Sequence, residues 1–260
     1  IDAEREKQNI YWDCYRGYVQ NPSDETLRNW GPVEPEASFH DIEKMYYEDH
    51  YSDFIKGQNA RNEKNRHPER NRTTEDLLKN KMTCPEETIF QIGKEGEHIS
   101  GEQLFHIADS FMKRFEGMFG DHVHILDFAL HMDETTPHIH ERHVFDCENK
   151  YGELCPQQEK ALEALGIPLP DPDKPRGRNN NRKMTFDLIC RNLLFDVCRQ
   201  YGLEIEEAPE YGGKKYLEKQ EFIIQAQKEK IARQEQMIKE QEEKIMDNET
   251  LIDEVSEIAY

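Results

Sequence analysis

The spacing of apolar residues changes several times along the chain, and each change marks an element. The most regular stretch opens at Ser100 or Gly101. From there Leu104, Ile107, Ala108, Phe111, Phe115 and Met118 recur in steps of three and four. Such steps put all of them on one face of a helix, and Gly120 is its stop signal. Residues 185–201 repeat the pattern, with Phe186, Ile189, Leu193, Leu194 and Val197 inward and Gly202 as the stop. A further helix runs from Asp41, a capable N-cap, to about Gly57, with Ile42, Met45, Tyr46 and Phe54 on one stripe. Thr74 reads as the N-cap of a short helix ending near Lys79, and residues 154–167 hold another.

Elsewhere the period falls to two. In residues 122–131, His122, His124, Leu126, Phe128 and Leu130 share one face of a strand. Val123, Ile125, Asp127, Ala129 and His131 share the other. Residues 138–145, HIHERHVF, read as a second strand, and residues 9–15 and 88–92 as two more. Residues 21–38 and 168–183 carry the prolines and glycines of loops. The expected fold is α+β: an antiparallel sheet with helices packed on one face, in a domain of residues 1–213.

The tail differs in kind. Leu217, Ile224, Ile231, Ile238, Ile245 and Ile252 recur every seven residues. Three positions after each lie Gln220, Gln227, Gln234, Gln241, Asn248 and Val255. Apolar a positions with a largely polar d seam predict a long charged helix over 217–257, in a second domain of residues 214–260. Such a seam suits a weak coiled-coil homodimer or a partner helix.

Composition narrows the function classes. The formal net charge of −20 opposes indiscriminate nucleic-acid binding, because the global field repels phosphate. It leaves room for local basic runs. Residues 56–83 contain Arg61, Arg66, Arg70 and Arg72; residues 174–183, KPRGRNNNRK, contain Arg176, Arg178, Arg182 and Lys183 with no acid among them. No apolar run approaches the roughly 18 residues needed to span a bilayer. The first twenty residues are polar, unlike a secretion signal, and the cysteines form no CxxC pair. A cytoplasmic protein with free or buried thiols is the expectation.

The chemistry concentrates in HMDETTPHIH, residues 131–140. If the two strands close a hairpin around Pro137, His131 faces His138, Ala129 faces His140 and Asp127 faces Arg142. Period-two alternation then brings His131, His138 and His140 to one face, about 5 Å apart across the strands. Three imidazoles can hold Mn²⁺, Zn²⁺ or a similar ion and leave positions open for substrate or water. Glu134, in the turn, suits a further ligand, a ligand-orienting group or a general base, and Asp133 could serve less directly. His122, His124 and His143 are expected on the other face, in structural roles. The spacing is neither HExxH nor that of the zinc deaminases. Histidine–hydrophobe–histidine on a strand is the metal motif of the HUH endonucleases, which cut single-stranded DNA.

Residues 131–140 resemble the third motif of the MobV (Mob/Pre) plasmid mobilisation relaxases, HxDExTPHxH, at every defined position. More loosely, IDAEREKQNIYWDC (1–14) resembles the segment after the family's nucleophile motif, and CPEETIFQI (84–92) its next core strand. Residues 216–244 resemble the helical region that follows. The resemblance covers roughly residues 1–205. It implies an HUH-type sheet crossed by origin-of-transfer DNA, and a bacterial, metal-dependent enzyme that nicks and rejoins one strand through a covalent 5′-phosphate intermediate. It implies His131, His138 and His140 as ligands for a divalent metal, Mn²⁺ first and Mg²⁺ or Zn²⁺ as alternatives. It also implies Glu134 as the acidic catalytic helper. The family's nucleophilic histidine is expected upstream of Ile1, with Tyr46 or Tyr47 as fallback nucleophiles in the manner of HUH rolling-circle replication initiators. A DNA-binding protein that has lost cleavage is the remaining alternative. With DNA as the ligand, the arginines above and Lys183 become candidate phosphate contacts, and Tyr11, Trp12 and Tyr15 candidate base-stacking groups.

Overall fold

A computed structural model describes residues 9–19, 37–94, 96–132, 134–205 and 236. The chain divides into two units, Ile1–Ile205 and Glu206–Tyr260. Of the second only Gln236 is described, so the heptad helix of 217–257 and its dimer seam lie outside the described residues. So does most of the expected loop of 21–38.

The first unit is α+β, built on an antiparallel sheet. Its centre is the hairpin of β6 (Val123–His131) and β7 (His138–Glu148). β1 (Ile10–Asp13) pairs with β6 and with the two-residue β2 (Gly17–Tyr18); β3 (Glu86–Gln91) pairs with β7. The path is therefore β2-β1-β6-β7-β3. A short β8 (Leu154–Pro156), absent from the sequence reading, pairs with the far end of β7. β4 (Gly93–Lys94) and β5 (Glu97–His98) form a small separate hairpin.

One face carries the main core. α3 (Gly101–Phe119), capped by Ser100 and ended at Gly120, lays Leu104, Ile107, Phe111, Phe115 and Phe119 against it. α4 (Gln158–Ala164) and α5 (Arg182–Gln200) add Ala161, Leu162, Phe186 and Val197. The sheet contributes Val123, Phe128, Leu130, Ile139 and Phe145, with Ile125 beside them.

Helices were expected on one face, and they cover parts of both. α1 (Phe39–Lys64), helped by α2 (Thr74–Lys79), buries Tyr46, Tyr47, Tyr51 and Leu77 against Leu126 and Val144 on the second face. α1 is also longer than its pattern suggests. Ser38 caps it, and Asp41 returns the bond to the Ser38 backbone in a capping box. Gly57 does not end it: the helix continues to Lys64, and a Cβ at Gly57 would displace the Glu153 carboxylate.

Leu126 reaches the second face through a register shift between Ile125 and Asp127. This bulge corrects the strict alternation read from the sequence. It puts Val123 and Ile125 on the same side as Phe128 and Leu130, and transfers Leu126 and His124 to the side of the histidine hairpin.

Candidate metal centre

The hairpin register is the one the alternation predicts. His131 pairs with His138, Ala129 with His140 and Asp127 with Arg142. The ring centroids of His131 stand 5.4 Å from His138 and 5.4 Å from His140, and His138 stands 5.1 Å from His140. A metal–nitrogen distance of about 2.1 Å plus the ring radius puts each centroid about 3.2 Å from a shared ion. At roughly tetrahedral angles such rings are about 5 Å apart.

The nitrogens are sorted by their partners. Nδ1 of His138 lies 2.9 Å from the Thr136 carbonyl, which can only accept, so Nδ1 carries the proton and Nε2 the lone pair. Nδ1 of His140 lies 3.1 Å from Oε1 of Glu87, and the same argument frees its Nε2. Imidazoles held through Nδ1 by a carbonyl or carboxylate are arranged as metal ligands are. Glu134 stands 4.0 Å from Nε2 of His138 and is exposed, so its carboxylate can swing toward the same point. Asp133 lies outside the described residues. Among the described residues, no group of three or more His, Cys, Asp or Glu stands in a geometry that could hold a metal ion. The donor types are those a divalent cation takes.

The buried tyrosines of α1 lie over Leu126 and Val144. At the triad His131 and His140 are half-buried and His138 is buried. The Phe39 ring is 6.2 Å from Tyr11, which meets His131 edge-on at 6.5 Å. Two concavities among the described residues lie elsewhere. One runs between residues 81–86 and the β7–β8 end, the other beside Asn62, Arg70 and Arg72.

Behind the triad lies a polar network that the sequence reading missed. Arg142 donates to Glu43 of α1 at 2.9 Å and lies 3.6 Å from Glu87. Asp127, opposite Arg142, is almost fully buried, and one of its oxygens has no hydrogen-bond partner. Burial, then the charge of Glu43, push its carboxyl up to about 8 against the pull of Arg142. Asp13 pairs with Asp127 across β1 and is neutralised by Arg16 at 2.7 Å.

Of the other histidines, His143 is buried on the helix-covered face among Phe115 and Phe145, paired with Glu141 at 3.1 Å. His122 bonds the Asp146 carbonyl at 3.0 Å. His124 was expected beside His143. The bulge instead places it on the triad's side, under Tyr46, with Nε2 3.1 Å from Asp146.

The fallback nucleophiles are core residues. Tyr47 is fully buried and donates to the Thr83 carbonyl at 2.6 Å. Tyr46 is 8% exposed and stacks on His50 at 3.9 Å. Burial, as the largest cause, raises both phenols far above the usual tyrosine range. Trp12, half-buried, stacks on Phe128 against the main core, and Tyr15, also half-buried, donates to Asp49.

The basic candidates divide. Arg61 forks onto Glu153 with two 2.7 Å bonds. Arg182 bonds Glu159 and Glu163, and Lys183 is held by Glu86 and Asp187 behind the helix-covered face. Arg66, Arg70, Arg72, Arg176 and Arg178 are exposed. The run of residues 61–72 is remote from the triad: 22 residues of helix between Phe39 and Arg61 span about 33 Å at 1.5 Å per residue.

Among the described residues, no helix is long and apolar enough to cross a membrane. All six cysteines are free thiols. Comparison of the chain with family models, with curated proteins and with solved structures finds no match.

Proposed function

We propose that this chain carries the metal site of an HUH-type relaxase, which nicks and rejoins single-stranded DNA at a transfer origin. The observation that carries the reading is the triad: three imidazoles on paired strands, 5.1–5.4 Å apart by ring centroid, with His131 and His140 half-buried, His138 buried, and the exposed carboxylate of Glu134 beside them. Nε2 of His138 and His140 would hold the cation, with His131 completing a three-ligand set. Three protein ligands leave coordination room for a phosphate oxygen. A bound Mn²⁺ or related ion supplies Lewis-acid polarisation of the scissile phosphate.

The chain's own residues would do the rest. Glu87 and the Thr136 carbonyl favour the Nδ1–H tautomer of the two imidazoles, which leaves the Nε2 lone pairs for the cation. Glu134 is within reach to accept a proton from an attacking group or to return one to the leaving 3′ oxygen. The burial of Tyr46 and Tyr47 removes the support for the replication-initiator alternative.

The test is metal analysis and cleavage of a single-stranded oligonucleotide. His138→Ala and His140→Ala should each lose bound Mn²⁺ and Mn²⁺-dependent cleavage. Retention of both properties at wild-type level in the two variants would overturn the assignment.

A further inference from the structure

We propose that Arg142 is a positioning residue for His140, acting through Glu87, and that α1 is built into the same chain through Glu43. The inference rests on reading the triad as a metal site, and it names what holds one ligand in place.

The geometry is a relay through one oxygen. Oε1 of Glu87 lies 3.1 Å from Nδ1 of His140 and 3.6 Å from the Arg142 guanidinium. The other arm of that guanidinium bonds Glu43 at 2.9 Å. Backbone register sets these positions. Glu87 and Arg142 are directly opposed on β3 and β7, Ile89 opposes His140, and Glu87 therefore sits diagonal to the ring it holds.

Glu87 by itself is a poor anchor. Its side chain is 43% exposed on an edge strand, and an exposed carboxylate gains little from a neutral imidazole. Arg142 gives it a fixed partner. The guanidinium can serve two carboxylates with different arms, which the compact ammonium of lysine does less well. Arg142 is itself pinned, because Glu43 is buried to 8% and Asp127 stands opposite on β6. Glu43 lies in the part of α1 nearest the triad, so the seating of that helix is linked to the orientation of a ligand.

The experiment measures Mn²⁺ affinity for the whole chain and for Glu87→Gln, Arg142→Gln, Arg142→Lys and the Glu87→Gln/Arg142→Gln double variant. Glu87→Gln should weaken binding about 10–100-fold, the usual effect of removing a group that orients a ligand. Arg142→Gln should weaken it several-fold, Arg142→Lys less, and the double variant no further than Glu87→Gln alone. An Arg142→Gln effect that persists undiminished without Glu87, or an affinity within twofold of wild type, overturns the relay.

A metal-free reading separates this from failure of the metal site. Long-range ¹H–¹⁵N spectra of histidine-labelled protein, assigned with His140→Ala, should show His140 as the single Nδ1–H tautomer. Glu87→Gln, Arg142→Gln and Arg142→Lys should each show a mixture, the lysine variant least. Wild-type protein that takes up no Mn²⁺ would refute the metal site, while the tautomer still decides the relay. A single unchanged tautomer in both Arg142 variants overturns it. If Arg142→Gln does not fold, Arg142→Lys carries both readouts.

Discussion

Asp127→Asn should make the protein more stable, and by an amount that grows with pH. Asp127 is 2% exposed, and its carboxyl is pushed from 3.8 up to about 8, first by burial and then by Glu43. The native state therefore keeps a proton that the unfolded chain gives up. Below about pH 4 both states are protonated and the group costs nothing. From there to pH 8 the unfolded state ionises while the native state does not, so stability falls with slope about 1.4 kcal/mol per pH unit. By pH 7 the accumulated loss is about 4 kcal/mol. Asparagine keeps the shape and has no proton to lose. Urea unfolding of both proteins at pH 5, 6, 7 and 8 should show the variant's advantage climbing by roughly 1 kcal/mol per unit and levelling off near pH 8. A difference that stays flat with pH, or shrinks as pH rises, would refute a protonated Asp127 in the native state.

Other expectations follow from the same packing. Leu126→Ala should cost about 2–5 kcal/mol in urea unfolding, since the bulge delivers Leu126 into the tyrosine-lined core; a surface-like cost below about 0.5 kcal/mol would contradict that burial. Tyr47→Phe should cost about 1 kcal/mol by removing the bond to Thr83. Neither it nor Tyr46→Phe should alter Mn²⁺-dependent nicking, and loss of nicking in either would restore the initiator reading. If exposed arginines neutralise phosphates, replacing Arg66, Arg70 and Arg72 with alanine should flatten the salt dependence of single-strand binding by about 0.7 for each phosphate no longer neutralised. The same change at Arg61, whose fork is committed to Glu153, should leave the slope unchanged.

The candidate site was legible because its signals were local. Period-two alternation and a short polar turn fix which residues face each other in a hairpin, and the His131–His138 register follows from them. The α3 boundaries were legible for a similar reason, since Ser100 and Gly120 bracket a strongly periodic run. What failed was nonlocal. Nothing in residues 86–91 says that they will pair with residues 138–143, so Glu87 was seen only as part of a strand and not as the partner of His140. α1 was read too short at both ends because its stripe is weak. Its cap, Ser38, precedes Asp41, and it runs past Gly57 to Lys64.

The bulge lies between these cases. Val123 and Ile125 are apolar on odd positions, Phe128 and Leu130 on even ones, and a strand with one buried core face has no use for both parities. A register shift between them removes the conflict at the cost of one unpaired residue. That same residue, Leu126, then needs an apolar cover of its own. Tyr46, Tyr47 and Tyr51 of α1 provide it, which seats the helix over the far half of the face. The parity change in β6 is thus a sequence signal for where α1 docks, although alternation taken strictly hides it.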